Sequence, residues 1–207
     1  MDSKLDLHKA EQHRIQATQH LSSLGKRFFK FIEFDESEEL VMEIRKHSFG
    51  LILVQATGLV VTLIIVLAAT LLAYNLDSII GQTLETSGLS SAIVAGGFIM
   101  GVLSVIGTEI AIMLYRSNVI FVTSEKVAQI LYPSVFNRKL SQLSIGDIQD
   151  VTVTQSGIFP RLFNYGTLVI ETAGEQQNYV FTYVPKPYDA ARAIVGAHEE
   201  NLKKYGN

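Results

Sequence analysis

The sequence predicts a two-helix transmembrane hairpin joined to an α+β domain of antiparallel strands that closes with a C-terminal α-helix. Three observations carry that expectation. No Lys or Arg occurs from Leu51 to Tyr115 in this chain of 207 residues, whereas eight basic residues precede the gap and nine follow it. After Arg116 the apolar period changes from helical to two, the period of a half-buried strand. From Ala191 onward the helical period returns.

Composition narrows the function classes. Apolar residues make up 48% of the chain and charged residues only 18%. The formal net charge of -3 comes from Asp77, Glu85 and Glu109 inside the basic-free gap, because the charges of each flank nearly cancel. Neither flank is therefore a basic nucleic-acid arm. The absence of cysteine excludes a disulfide framework, a thiolate metal site and a cysteine nucleophile, and fits a reducing compartment.

Three regions follow: 1–35 as a polar tail with a basic amphipathic segment, 36–116 as the transmembrane region, and 117–205 as a cytoplasmic domain. In the tail, His8, His13 and His20 are spaced five and seven apart, which does not align them as metal ligands on one helical face, and solvated histidines are expected. Leu21, Leu24, Phe28, Phe31 and Ile32 share one helical side with Lys26, Arg27 and Lys30 nearby. Such a segment suits an anionic membrane surface, and the same face suits packing on the cytoplasmic domain. The acidic run Glu33 to Glu39 reads as a solvated linker, and Glu39 to His47 as a helix leading into the membrane.

The first span, about 51–74, has no charge and exceeds the roughly 30 Å hydrocarbon core at 1.5 Å per residue. About fifty residues precede it with no small-residue cleavage pattern after it, so it is expected to remain in the mature protein. The second, about 89–114, contains Glu109, but Leu89 to Thr108 already cross the core, which leaves this acid at the cytoplasmic interface beside Arg116. Arg45, Lys46 and Arg116 flank the spans on one side, while the connecting loop carries only Asp77 and Glu85. Both termini are therefore expected in the cytoplasm. Ser90, Gly97, Gly101, Ser104 and Thr108 form a stripe of small residues that includes a GxxxG. Its partner is either Gly58, Thr62, Ala69 and Ala73 of the first span or the same stripe of a second copy.

In the third region, Asn118–Thr123, Val127–Tyr132 and Val135–Leu140 read as strands, with Pro133-Ser134 as the turn between the last two. Asp150–Thr154, Thr167–Thr172 and Asn178–Val184 follow, the last two as a hairpin across Ala173–Gln176. Ala191, Ile194, Val195, His198, Leu202 and Tyr205 form the buried face of the closing helix, with His198 packed and not catalytic. Gly166 is expected to allow a sharp turn into its strand, with Leu162, Phe163 and Tyr165 covering the end of the sheet.

Two apolar helices followed by Ser117-Asn118-Val119-Ile120-Phe121-Val122-Thr123, then Leu143-Ser144-Ile145-Gly146-Asp147-Ile148, then Arg161-Leu162-Phe163-Asn164-Tyr165-Gly166-Thr167, resemble the bacterial pleckstrin-homology (PH) domains of the membrane-flanked DUF304 family. The resemblance covers about residues 36 to 204. It implies a PH-like split β-barrel of six or seven strands capped by a helix, presented to the cytosol from a bacterial cytoplasmic membrane, with no established catalytic activity.

The expected function is a membrane-anchored interaction or assembly module that binds protein partners, itself or weakly anionic lipid. The alternative is an oligomeric accessory component of a transport or export system, with Glu109 facing a passage. Arg138, Lys139 and Arg161 are the candidate contacts to an anionic surface, or else a solvated basic rim. Thr123-Ser124-Glu125-Lys126, taken as the first hairpin turn, holds one Lys and one Glu, which argues against specific phosphoinositide recognition. No phosphate-binding Gly loop, HExxH or GxSxG occurs, so no enzyme, cofactor or specific small molecule is expected.

Overall fold

The computed structural model describes residues 16, 18–34, 38–80, 87–172 and 178–206. His8, His13, Glu85 and the turn Ala173–Gln176 lie outside the described residues. The chain forms two compact units, one of Gly50–Met113 and one of Met1–Phe49 with Leu114–Asn207.

The smaller unit is built on two long helices, α2 (Ser48–Tyr74) and α4 (Ser87–Arg116), with the short α3 (Leu76–Ile80) between them. Both are long and apolar enough to cross a membrane. A core helix of a soluble protein of this hydropathy is buried, yet none of the most apolar window of α2 and only 11% of that of α4 is enclosed by the rest of the chain. The helices meet through small side chains. The place a Gly97 Cβ would take is filled by the Ala69 methyl, that of Gly58 by Thr108, and a Cβ on Gly101 would lie 3.1 Å from Val66 Cγ2. The hydroxyls of Thr62 and Ser104 are hydrogen-bonded at 3.1 Å across the pair, and Ser90 reaches the Ala73 carbonyl at 3.4 Å.

The larger unit starts with α1 (Ser23–Phe29) and β1 (Leu40–Arg45). The segment read as a helix from Glu39 to His47 is thus a strand. Its Ile44 faces the inner core while its backbone pairs antiparallel with β2 (Val119–Thr123), from Leu40 opposite Thr123 to Arg45 opposite Val119. Tertiary pairing with a strand more than seventy residues away overrides the weak local helical signal. β3 (Lys126–Ser134) and β4 (Asn137–Ser144) complete a sheet of order β1-β2-β3-β4. A turn of 3-10 helix, Ile145–Asp147, leads to a second sheet of β5 (Ile148–Thr154), β6 (Tyr165–Thr172) and β7 (Tyr179–Pro185), with α5 (Ile158–Leu162) between β5 and β6. The two sheets do not close into a barrel. The β3–β4 turn falls on Val135-Phe136, because Ser134 still pairs with Asn137, and not on Pro133-Ser134.

Strand β2 is buried at every position, which alternation alone does not explain. Both of its faces are covered. Ile120 and Val122 join Ile44, Ile145, Leu168, Ile170, Phe181 and Ile194 in a core between the sheets and the closing helix α6 (Pro187–Tyr205). Val119 and Phe121 face the other way, onto Leu21, Phe28, Phe29 and Ile32. The amino-terminal segment therefore packs on the domain, with Phe29 buried in the contact while Phe31, expected on that face, is exposed. Glu43 fastens it, since its carboxylate accepts from Ser22 N at 2.8 Å and from Ser22 Oγ at 2.6 Å, and a Cβ on Gly25 would collide with it at 2.5 Å.

Helix α6 buries Pro187, Ala190, Ile194 and Ala197, while Val195 and Tyr205, expected inward, are exposed. Alanines let the helix lie close to the sheet, which rotates the contact face away from the larger side chains. His198 is packed and hydrogen-bonds the Ile145 carbonyl through Nδ1 at 2.7 Å.

The turn Thr123–Lys126 is the second connection of the domain, not the first; the first consists of residues 46–118 and carries both long helices. Lys126 Nζ lies 3.0 Å from the fully buried Glu38 carboxylate and donates to the Glu33 carbonyl at 2.6 Å, while Thr123 Oγ1 donates to Glu38 at 2.5 Å. Removing one partner of such a pair strands the other charge out of water, at a cost of about 3–5 kcal/mol. Lys126→Ala should lower unfolding stability by about that amount, and Lys126→Ala combined with Glu38→Leu should recover part of it, both read from denaturant unfolding in one detergent.

Candidate functional site

The end of the domain at which β1 stops and β2 begins gathers most of its unusual chemistry. After Arg45 the chain turns into α2 through Lys46 and His47. His47 Nδ1 accepts the Phe49 backbone N–H at 3.0 Å, the geometry of a side chain capping a helix start. The accepting nitrogen carries no proton, and burial holds the imidazole pKa below the ordinary histidine range. His47 N donates to the Tyr183 carbonyl at 2.6 Å. To offer that carbonyl, Tyr183 adopts φ 58, a left-handed conformation costly for a bulky side chain. Tyr115 Oη donates to the His47 carbonyl at 2.7 Å, and an Arg45 guanidinium nitrogen donates to the Arg116 carbonyl at 3.3 Å, so the segments flanking the inserted helices are tied to each other.

Aromatic rings fill this end. His47 stacks on Tyr165 at 5.3 Å, Tyr165 on Tyr183 at 5.4 Å, and Phe49 on Tyr165, Phe163 and Phe159 at 5.1, 4.9 and 5.5 Å. Each such contact contributes about 0.5–1.5 kcal/mol beyond simple burial. Lys46 Nζ lies 5.2 Å from the centre of the Tyr115 ring, and burial lowers its pKa. Beside it, a cavity of about 140 Å³ lined by Ile44, Lys46, Ile120, Ile130, Phe181 and Tyr183 is small for an organic ligand. Surface and not enclosed volume is what this end offers.

The motif around Gly166 takes a different form from the expected one. The sharp turn is made by Asn164, with φ 52, while Gly166 is required because a Cβ there would lie 2.8 Å from the Thr154 carbonyl. Tyr165 is buried and Phe163, although partly exposed, stacks over Phe49 at that end, but Leu162 points outward and does not cover it.

The remaining expected site residues are distributed as follows. Gly97, Gly101, Ser104 and Thr108 lie on the packed face of α4, and Glu109 is exposed beside them. Arg138 and Lys139 are the second and third residues of β4, with the Arg138 guanidinium 3.9 Å from the centre of the Phe31 ring, and Arg161 is exposed on α5. The His47–Tyr183 tie and the aromatic stack were missed because they join residues 47, 115, 165 and 183. The signal in the sequence was the clustering of Tyr and His at element ends.

The lowered pKa of His47 fixes a sign for pH dependence. The neutral ring is favoured by the folded state, so its contribution is present above the unfolded value of 6.5 and is lost as pH falls from there through the folded pKa. Thermal unfolding of wild type should therefore show a stability loss below pH 6.5 that is smaller in His47→Gln.

The comparisons agree with this architecture. A family described as Bacterial PH domain matches residues 49–194, well over half of the chain, and takes in both long helices and the β-structure as far as α6. No curated protein and no solved structure matches. With seven described strands in two sheets, a closing helix and this match, the chain belongs to the bacterial PH domain family.

Proposed function

We propose that this chain is a two-pass protein of the cytoplasmic membrane that holds its PH domain at the cytosolic face as an interaction module for protein partners, for further copies of itself or for anionic lipid. The observation that carries the reading is the exposure of the long helices: their Leu, Ile and Val side chains point outward along α2, where water would oppose them and lipid accepts them. Arg45, Lys46 and Arg116 at the domain end of the spans orient that end to the cytosol. In this reading Glu109, about two helical turns before Arg116, meets the headgroup region.

The domain supports interaction more than phosphoinositide capture. A headgroup phosphate needs free cations converging on it, and Lys126, the basic residue of the β2–β3 turn, is already bound to Glu38 and Glu33. The opposite end of the domain keeps exposed cations at Arg138, Lys139 and Arg161.

The chain has no cysteine, so single introduced thiols report topology directly. In intact cells an impermeant maleimide should label Ser78→Cys, in α3 between the spans, and should leave Ser156→Cys, in the loop before α5, unlabelled until the membrane is opened. Labelling of Ser156→Cys in intact cells, or recovery of the protein in the soluble fraction without detergent, would overturn the reading.

A further inference from the structure

Strand register shows which connections share one end of the domain. Ile130 pairs with Val119, the first residue of β2, and β3 continues past it to Ser134, so the β3–β4 tip projects roughly 15 Å beyond the start of β2 at about 3.3 Å per residue. It projects in the direction from which Arg116 enters the sheet. The β5–β6 connection lies at the same end: α5 packs through Phe159 on Phe49, the second residue of α2, and Tyr165 at the start of β6 stacks on His47.

Both connections carry large apolar side chains that the domain does not use. Phe136 at the β3–β4 tip is 99% exposed, and Ile158 and Leu162 on α5 are 79% and 69% exposed. Cations stand beside each group, Arg138 and Lys139 following Phe136, and Arg161 between Ile158 and Leu162. Exposed apolar side chains with basic residues beside them are the pattern of a surface that enters the boundary between lipid headgroups and acyl chains. Lipid is the occupant argued for, because Phe49, on which α5 packs, is itself the second residue of the long apolar helix α2.

We propose that the β3–β4 tip and α5 together form an interfacial membrane-insertion face, with Phe136, Ile158 and Leu162 entering the outer acyl region and Arg138, Lys139 and Arg161 meeting anionic headgroups. The inference rests on the reading that α2 and α4 span the membrane. The far end of the domain, where the β2–β3 turn meets the end of α6, stays out of the lipid. At that far end Tyr205 donates to Glu125 at 2.8 Å and Asn201 to the Ser124 carbonyl at 3.1 Å.

The chain has no tryptophan, so a single introduced Trp is the sole indole reporter. Full-length Phe136→Trp, Leu162→Trp and Ile158→Trp proteins are reconstituted in vesicles containing an anionic lipid, with brominated lipids as quenchers. The expected result is blue-shifted emission quenched most by bromines near the carbonyl end of the acyl chain. Phe98→Trp, at an exposed position in α4, should be quenched most by deep bromines, and Tyr205→Trp should be unquenched. Unquenched emission from all three tip and α5 reporters, with Phe98→Trp still quenched, overturns the insertion face and leaves the spanning reading standing. Unquenched Phe98→Trp overturns the spanning reading itself. Blue-shifted emission at Phe136 and Leu162 without quenching shows a protein contact in place of lipid, and also overturns the proposal.

Discussion

The antiparallel pairing of β1 with β2 is the constraint on which the rest of the molecule depends. Residues 46–118 leave the sheet after Arg45 and return to it at Val119, directly opposite. Closing a flexible loop of that length costs about 4 kcal/mol in chain entropy. Within the inserted segment α2 and α4 pack antiparallel along Gly58, Thr62, Ala69, Gly97, Gly101 and Ser104, so the chain enters and leaves the helix pair at the same end.

That arrangement changes what the first connection of the PH domain is for. Its place is taken by the helix pair, and the tie between His47, Tyr115 and Tyr183 locks the segments that lead into and out of it. The left-handed Tyr183 is the local cost of this lock, offset by the hydrogen bond its carbonyl accepts and by the ring stack around it. At the far end the buried Glu38–Lys126 pair takes up the cation of the second turn. Arg138, Lys139 and Arg161 stay exposed at the other end.

The parts of the fold that were legible and the parts that were not differ in physical kind. The long helices, six strands and the closing helix were visible because each repeats its pattern over several residues. Strand β1 was not, because Leu40–Arg45 is short and Glu43, which alternation places toward solvent, turns instead to the start of α1. The face of α6 was misjudged because close approach to a sheet selects Ala190 and Ala197 over the larger Val195. The exposure of Leu162 departs from the rule that large apolar residues go inside.

By itself the sequence determined the two apolar helices, the side of each that is made of small residues, the β-rich character of the last ninety residues and the family resemblance, because these are set by local composition and period. Only the tertiary structure decided that a strand precedes the helices, that the amino-terminal segment packs on the sheet, that Lys126 is bound internally, and that Phe136 and α5 share one end of the domain. These depend on which residues distant in the chain are brought into register, and a strand pairing across seventy residues leaves no periodic trace in either partner.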